Sequence, residues 1–220
     1  MHRLIALIVV ALLLAACGQP GAASPTASDA APAPTTAVSG EPARLVVMAH
    51  DNFNVSEEVL AAFEQSAGAT VEVLKAGDTG STLNQAILSR EAPLADVLFG
   101  VDNTFLSRAL EADIFLPYAS PHLDTLPDSL KLDPENRLLP VDFGYVLINY
   151  DKAALEAAGR TPPASIEELT QPEWRGQLVV QNPATSSPGL AFLLATIAHF
   201  GEEGDYTWRD FWRDLRANEV

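Results

Sequence analysis

One cysteine in 220 residues, Cys17, leaves no partner for an intramolecular disulfide, so core packing must hold whatever folds here. Basic residues are scarce as well, 13 against 29 acidic, for a formal net charge of −16. From Arg44 onward lie 12 of those basic and 27 of those acidic residues, about −15. That balance argues against nucleic acid and anionic lipid as partners of the folded part, because both are gripped by a basic footprint. The four histidines, His2, His50, His122 and His199, are scattered, with no His-x-x-x-His or Cys-x-x-Cys spacing to make a metal site. Nothing implies a cofactor. The longest apolar block, Leu4 to Leu14, is too short to cross a bilayer.

That block is informative in another way. It follows His2 and Arg3 and closes on Leu14-Ala15-Ala16-Cys17, the layout of a secretory signal with small residues before its cleavage point. Leu-Ala-Ala-Cys is similar to the lipobox of bacterial lipoproteins, whose cysteine thiol takes a diacylglycerol and becomes the first mature residue. Residues 1–17 therefore read as a lipoprotein signal peptide ending at a lipidated Cys17. The protein is expected outside the cytoplasm, held to a membrane by its lipid anchor. Residues 18–43 are nearly all Ala, Pro, Ser, Thr and Gly without an aromatic. Such a segment buries too little surface to offset chain entropy and reads as a flexible linker.

Structured sequence begins at Arg44. Leu45 to Ala49, Thr70 to Leu74 and Ala95 to Phe99 read as strands. Between them come a helix after Ser56, with Val59, Leu60 and Phe63 on one face and Gly68 as its stop, and a helix from Ser81 to Arg90. Asp102 reads as the cap of a further helix through Leu106 and Leu110. This alternation predicts an α/β fold with a parallel sheet. Ligands bind such sheets at the carboxyl ends of the strands. Three polar loops fall there: His50-Asp51-Asn52-Phe53, Gly77-Asp78-Thr79-Gly80-Ser81 and Gly100-Val101-Asp102-Asn103. The second precedes a helix and has amides for an anion, but lacks the Gly-Lys-Ser/Thr ending of a P-loop; a plain turn before a helix is the simpler reading.

Farther on, Leu138 to Asp151 is a long β-prone run broken by Gly144, suited to crossing between two lobes. Ser165 to Leu169 reads as a short capped helix and Gln177 to Gln181 as a strand. Asn182 to Gly189 then leads into an apolar helix from Leu190 to Phe200 that carries His199 as a packed or partly exposed residue. Ser186 and Ser187 at its start form a second hydroxyl-bearing helix N-terminus, either a cap or an anion cradle. Trp208, Phe211, Trp212 and Leu215 repeat at helical spacing as a core stripe.

Several of these segments together resemble the periplasmic thiamine-binding proteins of ABC importers, within the type II solute-binding class. The likeness is carried by Gly100 to Asn103, Pro140-Val141-Asp142-Phe143-Gly144-Tyr145, Asn149 to Lys152, Trp174-Arg175 and Gln181 to Leu190. It implies an α/β, two-lobe periplasmic-binding-protein-like (type II) architecture, with lobe one over 44–140, and a crossing strand and partial lobe two over 141–220. It also implies capture of thiamine or a thiamine phosphate and delivery to an ABC importer permease. By the same resemblance Asp78 and Thr79 contact the ligand from lobe one. Ser186 and Ser187 face its phosphate end from lobe two. His50 stands where the family often has a tyrosine near the ligand. Family members continue past the position of Val220, so the second lobe is expected to be incomplete.

Two other readings remain at this stage. The same fold serves iron, polyamines and other small solutes. A hydrolase using Ser186 or Ser187 would need a histidine base and an orienting carboxylate, and Thr-Ser-Ser-Pro-Gly is not a Gly-x-Ser-x-Gly elbow. The expectation is a binding protein, not an enzyme.

Overall fold

Aliphatic residues with alternating burial make the first element, Ala43–Ala49 (β1), which puts Val46, Met48 and Ala49 inside. It opens the described part of the molecule, residues 43–220 of a computed structural model; the signal-peptide and Cys17 readings, and the linker reading up to residue 42, fall outside those residues. Ser56 occupies the N-cap of Glu57–Ala67 (α1), and Gly68 ends that helix in the left-handed region at φ 64°, where a glycine carries no penalty. Ala69–Lys75 (β2) runs parallel to β1 over its full length. Thr79–Leu88 (α2) then leads to Val97–Phe99 (β3), parallel to the other edge of β1. The sheet order is β2-β1-β3, with all three strands ending on the same side. Leu106–Glu111 (α3) completes this half.

Lys152–Ala157 (α4), Ser187–Phe200 (α5) and Trp208–Ala217 (α6) follow, with two short 3-10 turns between α4 and α5. Two apolar clusters form. In the first, Leu83 of α2, Phe105 and Ala109 are buried, and Ile114, Phe115, Leu138 and Leu190 pack against them. In the second, Leu169, Phe211 and Leu215 are buried beneath Phe192, Phe200 and Trp212. The rings of Phe200 and Phe211 stack 4.7 Å apart, and the Trp212 indole N–H donates to the buried Thr196 hydroxyl at 2.8 Å. The stripe expected on the last helix is thus core at Phe211 and Leu215, with Trp208 and Trp212 half-buried. Thr207 and Asp210 form a capping box at the start of α6.

A buried carboxylate pins the connection between the halves. Asp133 accepts the amides of Glu135, Arg137 and Leu138, and the Arg137 guanidinium at 3.2–3.3 Å. Burial pushes its carboxyl up, but those donors together outweigh it and hold the group below the usual carboxylate range.

Several expectations need correcting. Residues 138–151 form no strand, and neither does 177–181; each lacks the neighbouring backbone that turns a β-prone run into a ladder. Val179 is 90% exposed as a result. The third strand starts at Val97 rather than Ala95. Asp102 does not cap α3: its carboxylate folds back on the Thr104 amide and hydroxyl at 2.7 and 2.6 Å. The helix expected at 165–169 is a 3-10 turn, Glu167–Thr170. The apolar face of α1 buries little, leaving Val59 and Phe63 59% and 45% exposed, because α1 packs on the edge strand β2. His199, expected to be packed or partly exposed, is half-exposed, and its Nε2 lies 2.6 Å from Glu167 Oε1.

That last pair generates a pH dependence. The Ser165 hydroxyl and then the His199 ring hold the Glu167 carboxyl down to about 2. A carboxyl depressed by folding contributes stability above its ordinary range and loses it as pH falls toward the folded value. The melting temperature of the wild type should exceed that of Glu167→Gln at about pH 5 and converge with it by about pH 2. Parallel melting curves across that range would refute the linkage.

Candidate functional site

The three strand-end loops are tied to one another by short backbone bonds. The Asp51 amide donates to Gly77 O at 2.9 Å, and the Gly77 amide returns to Asp51 Oδ1 at 2.9 Å. Lys75 Nζ donates to Asp51 O, also at 2.9 Å. The Thr79 hydroxyl donates to Gly100 O at 3.1 Å, which links the second loop to the third. Gly100 sits at φ 111°, and a Cβ there would overlap the His50 ring, so only glycine lets the imidazole lie across this turn. Phe99 flanks it, 5.7 Å from the His50 ring and 5.0 Å from that of Phe53. His50, Asp78 and Thr79 therefore belong to one constellation at the carboxyl ends of the strands.

Ser186 and Ser187 arrive from the other half of the chain. Ser186 is the N-cap of α5: its hydroxyl accepts the Gly189 amide at 3.3 Å and donates to Gln181 Oε1. Gly189 is required there because a Cβ would run into the Gln181 carbonyl. The Asn182 carbonyl accepts the amides of Thr185 and Ser186 and fixes the approach to the helix. The Ser187 hydroxyl is buried without a hydrogen-bond partner among the described residues.

The two helix N-termini meet at Thr185. The Gly80 amide, in the first turn of α2, donates to Thr185 O at 2.8 Å. The Thr185 hydroxyl donates to Asp78 Oδ2 at 3.1 Å, so the α2 cap position spends its carboxylate on the α5 approach rather than on its own helix. Two positive helix ends are thereby set side by side with one carboxylate between them. Such an arrangement suits a ligand with an anionic or hydroxyl end for the amides and a cationic part for Asp78. It does not suit nucleophilic catalysis, because the Ser186 proton goes to an amide oxygen while His50 lies over Gly100 and His199 contacts Glu167. Cavities of about 500 and 420 Å³ lie elsewhere, along α6 and beside β3.

Sequence reasoning missed Gly80 and Thr185 as the residues that join the two ends. Glycine in the first turn of a helix was the available signal, since it marks a close backbone approach. Thr185 carried no signal apart from its neighbours.

A Cβ at position 80 would lie 2.9 Å from Thr185 Cα, 3.0 Å from Ala184 O and 3.1 Å from the Phe105 ring. Backbone cannot yield as a side chain can. Gly80→Ala should therefore displace the 184–185 turn and cost about 1–3 kcal/mol in urea unfolding. An unchanged midpoint would show that the two ends do not meet as described.

Comparison with known proteins gives this geometry its context. Residues 92–220, more than half of the chain, match the family described as bacterial extracellular solute-binding protein. The thiamine-binding periplasmic protein of Salmonella typhimurium is 28% identical over 170 residues, covering 75% of this chain and 50% of the relative. Iron uptake protein A1 of Synechocystis is 26% identical over 222 residues, covering 97% of this chain and 56% of that one. Among solved structures, a periplasmic thiamin-binding protein superposes with a TM-score of 0.57 at 24% identity, covering 78% of this chain and 52% of its own. The chain spans about half the length of the curated relatives it matches. Its architecture is the α/β fold of type II periplasmic binding proteins. The chain belongs to the bacterial extracellular solute-binding protein family.

Proposed function

We propose that this protein captures thiamine or a thiamine phosphate outside the cytoplasm and delivers it to an ABC importer permease. In this reading residues 44–140 and 141–220 belong to the two lobes that close on the ligand, and Cys17 carries the lipid that holds the protein to its membrane. No catalysis is involved. The observation that carries the reading is the meeting of the α2 and α5 N-termini at Thr185, with Asp78 on one side and Ser186 and Ser187 on the other. Thiamine pairs a cationic ring system with a hydroxyl or phosphate end. Asp78 takes the cation, the α5 hydroxyls and amides take the oxygen end, Thr79 holds the Gly100 turn, and His50 flanks the ring. Relatives that bear the name of thiamine-binding periplasmic proteins support the same ligand class.

Iron is the second reading, favoured by the iron uptake relative that aligns with almost the whole chain. Thiamine is preferred because several of the matching curated relatives bear the name of thiamine-binding periplasmic proteins, beside one iron uptake protein.

Charge-assisted hydrogen bonds contribute roughly 1.5–3 kcal/mol each. In a chimera joining residues 44–220 to the remaining half of the Salmonella relative, Asp78→Ala should weaken thiamine binding more than about tenfold by titration calorimetry. Ser186→Ala should weaken thiamine phosphate more than free thiamine. Both variants unchanged would remove these residues from the site; a chimera that takes ferric ion and ignores thiamine would replace the ligand. Separately, a labelled lipid precursor should mark the wild-type protein in cells and not Cys17→Ser, and unlabelled protein free in the medium would exclude the anchor.

A further inference from the structure

Two buried donors away from the α2–α5 junction lack acceptors, and they lie together. Trp174 closes the 3-10 turn Pro172–Trp174 and is only 8% exposed. Its indole N–H is shut off from solvent and finds no acceptor among the described residues. Arg160 lies just past α4, with its guanidinium carbon 4.1 Å from the centroid of the same indole. Its Nη1 donates to Gln177 Oε1 at 2.7 Å, whereas Nη2 is buried without a partner. Among the described residues Arg160 makes no ion pair, although acidic residues outnumber basic ones 29 to 13.

The fold accounts for neither donor. Stacking on an aromatic face uses the flat side of a guanidinium and leaves its in-plane N–H groups in need of acceptors. The last turn of α4 is at hand, but it is the Arg160 amide that bonds back to it, 2.9 Å from Leu155 O, and not the side chain. A buried donor without an acceptor is costly, and more so when it carries charge. At this stacking distance one acceptor can be reached from both nitrogens.

The chemistry of the pair selects its occupant. Two N–H groups and one positive charge call for an acceptor that is small and negative. A sulfate or phosphate dianion would bring a second charge with no cation to meet it. Nη1 is already committed to Gln177, so the paired Nη1–Nη2 grip that such oxyanions take is not on offer. Water accepts from both donors but must then place its own protons beside a cation. We infer that Arg160 and Trp174 form a site for a compact monovalent anion such as chloride, and that the bound ion ties the end of α4 to the turn at Trp174. The inference is independent of the ligand reading, because Asp78, Thr79, Ser186 and Ser187 take no part in it.

The test melts the full 220-residue protein, without thiamine, in buffers of constant ionic strength in which chloride replaces gluconate. The melting temperature should climb with chloride, by about 3 °C or more per tenfold once the site begins to fill. Trp174→Phe keeps the stacked ring and removes the N–H, and Arg160→Gln removes the charge; each should flatten the climb. Wild-type crystals soaked in bromide supply a reading that needs no variant, an anomalous peak within hydrogen-bond reach of both Trp174 Nε1 and Arg160 Nη2. Three results would overturn the inference: a wild-type melting temperature indifferent to chloride, a climb that survives unchanged in Trp174→Phe, or bromide peaks only elsewhere, which would assign these donors to water.

Discussion

The backbone contact between Gly80 and Thr185 is the constraint on which the rest of the molecule depends. It is one hydrogen bond of 2.8 Å, but it requires a residue without a side chain in the first turn of α2. Through it a helix that follows the parallel sheet is locked to a turn more than a hundred residues away. Phe105 closes the same approach from the side, so the contact also belongs to the first apolar cluster, where Leu190 of α5 packs. Loss of this single close approach would free α5 from the sheet and separate the polar groups gathered at its start.

Those polar groups owe their position to packing rather than to attraction among themselves. Asp78 and Thr185 are exposed or half-exposed, and a hydrogen bond of that kind contributes about 1 kcal/mol at most. The buried neighbours Leu83, Phe105 and Ala109 hold the two helix ends in place, and the surface groups then find one another. The second cluster, around Phe211 and Leu215, plays the same part for the far end of α5 through the stacked Phe200 ring. A rigid apolar support under a polar rim is what a site needs if it is to hold a small solute without reorganising.

Apolar surface is spent unevenly across the molecule. β1 is paired on both sides and buries Met48 and Ala49 almost completely, while Val141 to Tyr150 and Val179 stand open. The difference follows from the supply of backbone partners. β1 has one strand on each side; the exposed runs have none, and without a ladder their side chains have no sheet to pack from.

The amino-acid sequence by itself determined the local elements of the first half. The stop at Gly68, the strand-helix alternation and the loops holding His50, Asp78 and Thr79 were all legible, because they follow from apolar period and glycine placement over a few residues. The core stripe at Phe211 and Leu215 was legible for the same reason. It pointed to Ser186 and Ser187 as a helix start, but not to what that helix start would touch. Only the tertiary structure decided that Thr185 meets Gly80 and Asp78, that Asp102 serves Thr104 instead of α3, and that the β-prone runs at 138–151 and 177–181 stay unpaired. Strand propensity is a local property. Pairing needs a second backbone, brought close by chain far away in sequence, and no local pattern reports whether that neighbour is present.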